Sequence, residues 1–341
     1  MTGTGRLDLG GNTDSSDLRT RVRTALARRT EGRAVALLAV VAIVTVFLEP
    51  VVFTSYSVTL GRIALIGLVA LGLTAVILMG ELDLSVASTL AVAGVVMASI
   101  ESLPLGILAA LAAGLVIGAA NAFFVVFVGI NSFIATLGML FFLRGSAFVL
   151  SNEEPVRLAN RDAGIAFGKP LLGPLTPRML IFVVAFVVLQ IFVTRVRVGR
   201  EFYAVGGNRE AAYDAGIPVR RRIFTGFMIS GFVAAMAGVI NTLERTAADP
   251  TAGSTVLLAS FAAAIIGGVL LTGGRGSIFG TLLGATSLGI LQVALTLSGV
   301  QVDVQNIVIG LVLLLAVITD PNSVRSVVGN VRSLLQGRSG S

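Results

Sequence analysis

Apolar runs of close to twenty residues succeed one another along almost the whole chain, separated by short polar joints. A hydrocarbon core about 30 Å thick is crossed by about 20 residues of helix at roughly 1.5 Å each, so runs of this length read as membrane spans. Composition agrees: of 341 residues, 55% are hydrophobic and 13% charged, and mean hydropathy is +0.95. So little polar surface cannot coat a water-soluble globule. The chain therefore reads as an all-α, polytopic transmembrane helix bundle forming one membrane domain. Ten spans are expected, near 34–50, 57–79, 84–103, 104–129, 131–150, 177–194, 223–242, 255–274, 276–298 and 303–320. Polar breaks are so few between 80 and 130 that a broken or re-entrant path is open for one of these, 80–103 above all.

The residue types present narrow the chemistry. Cysteine and histidine are both absent, which removes thiolate and imidazole metal sites, disulfides, Cys nucleophiles and His-based triads. No catalytic group, metal ligand set or bound cofactor is expected, and the chain does not read as an enzyme. Its charge of +7 would suit nucleic acid, but the arginines stand in short runs between apolar spans. That is the pattern of loops facing the cytoplasm, with membrane lipid and not nucleic acid as the partner.

Orientation follows from the same arginines. Residues 1–33 are polar, carry Arg6 through Arg33, and lack an apolar stretch followed by a small-residue cleavage site, so they read as a cytoplasmic tail and not a signal peptide. Ten spans then place the central loop 195–222, Arg275 and the tail 321–341, with Arg325, Arg332 and Arg338, on the same side. This concentration of positive charge on one face is what orients helical membrane proteins.

Several groups inside this apolar frame need a reason to be there. GELDLSVAS at 80–88 sets Glu81 and Asp83 between two spans, where an ionised carboxylate needs water or a partner. Two readings stand: Asp83 or Ser85 caps the next helix at a cytoplasmic turn, or the segment is a broken helix lining a solute pathway. Asn121, Asn131, Ser132, Thr136 and Arg144 lie in or beside the spans around 104–150; their polar groups suit hydrogen bonds across helices, and Asp83, Ser85, Asn121, Ser132 and Thr136, with the neighbouring Phe133, are candidates to line a solute route. Gly114, Gly118, Gly276, Gly280 and Gly284 recur at helical spacing and suit close helix packing. The charged outer segment 151–177 reads as a solvated loop, with a docking partner as the other possibility.

The central loop is the most organised polar stretch. Asn208 suits an N-cap, Glu210 falls in the first turn where the helix dipole favours an anion, and Gly216-Ile217-Pro218 supplies a stop, so a two-turn helix is expected over 209–215. It is either a capped surface helix or a rigid knob with a partner. Gly206-Gly207 does not signal nucleotide binding, because neither GxxxxGK[ST] nor GxGxxG is present.

These segments resemble the permease subunits of ABC importers for simple sugars, of the ribose and xylose type, from about residue 57 to 320. GELDLSVAS is similar to that family's GGIDLSVGS, NSFIATLGM at 131–139 to PSFIVTLGT, and GREFYAVGGNREAAYDAGI at 199–217 to GR-x-x-YA-x-GGN-x-x-AA-x-x-SGI. DPTAG at 249–253, AAAIIGG at 262–268 and GGRGSIFGTLLGA at 273–285 are similar to the distal blocks in the same order.

The resemblance implies that Gly199, Arg200, Gly207, Asn208, Glu210, Ala211, Ala212 and Gly216 belong to a coupling element that docks on a separate ATP-hydrolysing subunit. It further implies a second permease subunit, either an identical chain or a close paralogue, an extracytoplasmic solute-binding protein, and residence in the bacterial inner membrane. ATP would be used by the partner and not by this chain. Departures are Glu81 and Ala87 where the family has Gly, and LLASFAA at 257–263 where it has ELDAIAA. Nucleosides or branched-chain amino acids are alternative cargoes, and an ATP-independent secondary transporter is the alternative of another class.

Overall fold

The computed structural model describes Gly32 and residues 34–318, so the expected tails 1–33 and 321–341 lie almost wholly outside the described residues. Fourteen α-helices make up nearly all of it. They are α1 (Ala34–Leu48), α2 (Val51–Thr54), α3 (Tyr56–Ile77), α4 (Val86–Ala98), α5 (Leu103–Phe123), α6 (Ser132–Ser151), α7 (Arg161–Gly168), α8 (Pro177–Arg195), α9 (Arg197–Gly207), α10 (Arg209–Asp214), α11 (Val219–Arg245), α12 (Ser254–Ile266), α13 (Ile278–Leu297) and α14 (Val302–Ile318). A π-turn, Phe124–Val128, extends α5. Two short antiparallel strands, β1 (Val156–Arg157) and β2 (Ala247–Ala248), complete the described chain.

α3 is the centre of the bundle. It is buried along almost its whole length and packs against α8, α11, α12 and α13. α11 crosses α3, α4 and α5, whereas α5, α6 and α8 turn most of their apolar surface outward, including Phe141, Phe142 and Val149. A shell of exposed Phe, Val and Leu around a buried core is the surface of a protein solvated by lipid.

Small residues set the crossings where expected. A Cβ added at Gly231 of α11 would fall 2.2 Å from the Gly114 carbonyl oxygen, and one at Gly118 of α5 would fall 2.4 Å from that of Phe227. Gly280 and Gly284 of α13 meet Gly267 and Ala263 in the same way. Without a hydrophobic drive between helices in lipid, such close backbone approach supplies the packing energy.

Six of the expected spans are helices long and apolar enough to cross a bilayer: α3, α5 with its π-turn, α6, α8, α11 and α13. The other four are shorter. α4 and α12 hold 13 residues each, about 20 Å, where 84–103 and 255–274 are expected as full spans. Each is instead flanked by irregular chain: residues 78–85 before α4, and residues 267–277 after α12. Non-helical backbone is tolerated within a membrane only when other protein groups satisfy its hydrogen bonds. Residues 151–177 are also more ordered than a plain loop, since they contain α7 and β1, which pairs with β2.

Candidate functional site

One end of the bundle carries α9 and α10. Asn208 caps α10 as expected, its side-chain carbonyl accepting from Ala211 N at 3.0 Å. The helix closes at Asp214 with Ala215 as C-cap, and Gly216 takes the left-handed conformation at φ +77°. Ile217 N donates to Ala212 O at 3.0 Å and Gly216 N to Tyr213 O at 2.8 Å, the paired bonds of a Schellman stop. Gly207, Arg209, Glu210, Ala211, Tyr213 and Asp214 are exposed, while Ala212 is tucked against the protein. The product is a rigid six-residue peg with one anchored side.

Its support is α9, a helix that the sequence reading did not anticipate. Phe202 and Val205 bury one face, and Gly199 lets the start of α9 fold back so tightly that a Cβ there would sit 2.1 Å from Phe192 O. Arg200 points to solvent. Glu201 is buried but holds Arg197 at 2.8 Å and also pairs with Arg222 of α11. Burial alone would raise its carboxyl pKa; hydrogen bonds and charge from Arg222 and Arg197 outweigh that and hold it below the ordinary value.

At the same end the chain leaves α3. Leu78 O accepts from Gly274 N at 2.9 Å, and Gly206 presses so close that a Cβ would lie 2.0 Å from that oxygen. Arg209 Nη2 donates to Glu81 Oε1 at 2.5 Å, pinning α10 to the stretch that follows α3.

That stretch leads inward to a buried polar cluster. Asp83 is 1% exposed. Its Oδ1 accepts from Ser85 Oγ at 2.6 Å and Ser85 N at 3.1 Å, and its Oδ2 from Ser230 Oγ of α11 at 2.8 Å. Asn121 of α5 donates to Ser85 Oγ at 2.7 Å and reaches Asp83 at 3.4 Å. The exposed backbone of the break is satisfied from α6: Leu82 N donates to Ser132 Oγ and Leu84 N to Thr136 Oγ1, both at 3.1 Å. Of the two readings of this segment, helix capping does not hold, since Ser85 makes no side-chain cap bond and Asp83 binds the N-cap residue itself. The segment is a break within the bundle, held by four helices.

Asp83, Ser85, Asn121, Ser132 and Thr136 thus come together, and Phe133 does not, being 46% exposed on the outer side of α6. Ser230 completes the cluster and was missed, because a serine in an apolar helix gives no local sign of a distant partner. Arg144 donates to Pro250 O at 2.9 Å, tying α6 to the turn before α12.

At the opposite end, α3, α11, α13, α14 and residues 249–256 surround a cavity of about 790 Å³. Arg62, Asn241 and Gln292 line it. The sequence carries one sign of this cavity: a basic residue, Arg62, within an apolar span.

A helix bundle with an apolar exterior, a buried polar cluster and a rigid peg at one end is a polytopic membrane protein. The chain belongs to the family described as branched-chain amino acid transport system / permease component, which matches residues 55–317. It is 38% identical over 297 residues to the ribose import permease protein RbsC of Escherichia coli, covering 84% of this chain and 92% of that protein. It is 37% identical over 262 residues to the L-arabinose ABC transporter permease protein AraH of Azospirillum brasilense, covering 76% and 77%. Against the D-allose transport system permease protein AlsC of Escherichia coli it is 34% identical over 258 residues, covering 74% and 79%. No solved structure matches the chain.

Proposed function

We propose that this chain is the membrane-spanning permease subunit of an ABC importer that translocates a monosaccharide or related polyol. Family membership makes it a transporter component rather than an enzyme, and the relatives named for ribose, L-arabinose and D-allose support the sugar cargo. The observation that carries the mechanism is the peg: a capped, stiff, exposed α10 joined through Arg209 and Glu81 to the break that holds Asp83. A separate ATPase subunit docks on Gly207, Asn208, Glu210 and Ala211, with Gly199, Ala212 and Gly216 setting the geometry of the peg and Arg200 beside it. Closure of the ATPase pair moves the peg as a rigid body, and the movement reaches the interior through residues 78–85.

In this reading ATP is bound and used by the partner, a second permease subunit, identical or paralogous, completes the pathway, and an extracytoplasmic binding protein delivers the solute. The ten expected spans, counting α1, α4, α12 and α14, place both termini and the 195–222 coupling loop in the cytoplasm, with residues 34–320 as the membrane domain in a bacterial inner membrane. Asp83, Ser85, Asn121, Ser132 and Thr136 shape the route by fixing the break; Phe133 faces outward from α6, where the second permease subunit would meet it.

The test is reconstitution with the ATPase and binding protein. ATP-dependent sugar uptake that Gly216→Val reduces, with the chain still inserted, is expected; uptake without ATP would overturn the proposal. The family description keeps branched-chain amino acids as a second cargo, and the ligand of the binding protein separates the two.

A further inference from the structure

The cavity opposite the peg has its charges arranged unequally. At about 790 Å³ it is in the size range of small-molecule pockets, about 300–1,000 Å³. Its two acids are engaged: Glu244 pairs with Arg178, and Asp249 accepts from Thr251 N and Oγ1, each at 2.7 Å, with Arg144 nearby. Two of its arginines have no carboxylate. Arg62 donates Nε to Gln292 Oε1 at 2.7 Å, and Arg245 donates Nε to Asn241 Oδ1 at 3.3 Å. Gln292 and Asn241 are buried, so each amide grips one side of a guanidinium. Both arginines line the same cavity, and among the described residues neither makes an ion pair.

Arg62 lies in the second turn of α3, roughly 9 Å along the helix from Tyr56. A cation within an apolar span is costly unless it meets a partner or water, and a second cation on the same cavity adds to that cost. An arginine held through Nε keeps its Nη groups available for a planar two-oxygen anion.

We propose that Arg62 and Arg245 form an anion-reading site on the uptake route and that the cargo is an acidic monosaccharide, a sugar carrying a carboxylate. The carboxylate sits between the two guanidiniums, and the hydroxyls meet the amide and hydroxyl groups of Asn306, Gln301 and Thr255, which line the same cavity. This rests on the importer reading above and narrows its substrate class.

The complete importer, with its ATPase and binding protein, is placed in liposomes and supplied with labelled D-gluconate, D-glucuronate, D-ribose or D-glucose. ATP-driven uptake of a sugar acid is expected, reduced on the order of tenfold or more by Arg62→Gln or Arg245→Gln and partly recovered by Arg62→Lys. ATP-driven uptake of neutral sugars alone, or acid uptake that Arg62→Gln leaves unchanged, overturns the anion site and leaves the importer standing. Absence of ATP-driven uptake of every sugar overturns both.

Discussion

Arg209, the first residue of α10, reaches Glu81 at 2.5 Å and the Met79 carbonyl at 3.4 Å through the same Nη2. Half of the arginine side chain is exposed while Glu81 is 6% exposed. The surface peg is therefore fastened to a buried carboxylate two residues before Asp83, within the break between α3 and α4.

Removing either end should loosen this link. Arg209→Gln leaves Glu81 buried and unpaired, a loss of about 1–3 kcal/mol, and should lower solute moved per ATP hydrolysed. The exchanged pair, Glu81→Arg with Arg209→Glu, should recover part of the ratio. Uptake and hydrolysis measured together on the reconstituted importer check this.

The peg's stop depends on Gly216 at φ +77°. A side chain there costs about 1–2 kcal/mol, and a β-branched one more. Gly216→Val should weaken co-purification of the ATPase with the permease, while Gly138→Ala, at an open position on α6, should not.

The α5–α11 crossing has no room for a side chain at Gly231, where a Cβ would meet Gly114 O at 2.2 Å. Gly231→Leu should destabilise the bundle by about 3 kcal/mol or more and be read as a lowered melting temperature in detergent.

Glu201 gives the end of the bundle that carries α9 and α10 a pH dependence. Its folded pKa is lowered, so its contribution is present above the unfolded glutamate value of about 4.3 and is lost as pH falls through the folded value. Between about pH 7 and 3, the melting temperature of the wild-type chain should fall more steeply than that of Glu201→Gln, which lacks the contribution at every pH.

Much of the architecture was legible because apolar length and helical caps are local signals. The ends of α3, α6, α8 and α13 fall within two residues of the expected bounds, and α10 was placed by Asn208 and Gly216. The short α4 was legible only as one of two readings, a broken or re-entrant path over 80–103, and the short α12 was not legible. Glu81 and Asp83 marked the interruption before α4, while the hydroxyls that satisfy the backbone of Leu82 and Leu84 come from Ser132 and Thr136, some fifty residues later. The meeting of Asp83 with Asn121 was suggested by polar groups in apolar spans, but Ser230, Arg209 with Glu81, and Arg62 with Gln292 depend on contacts that no local pattern encodes.

The central claim is that an external motor acts through α10. The chain has no native cysteine, so Tyr213→Cys, 73% exposed on the peg, gives a single reactive site. In membranes containing the whole importer it should crosslink to the ATPase subunit and be labelled by an impermeant maleimide only when the cytoplasmic face is accessible. Labelling from outside intact cells, with no crosslink to the ATPase, would contradict the account.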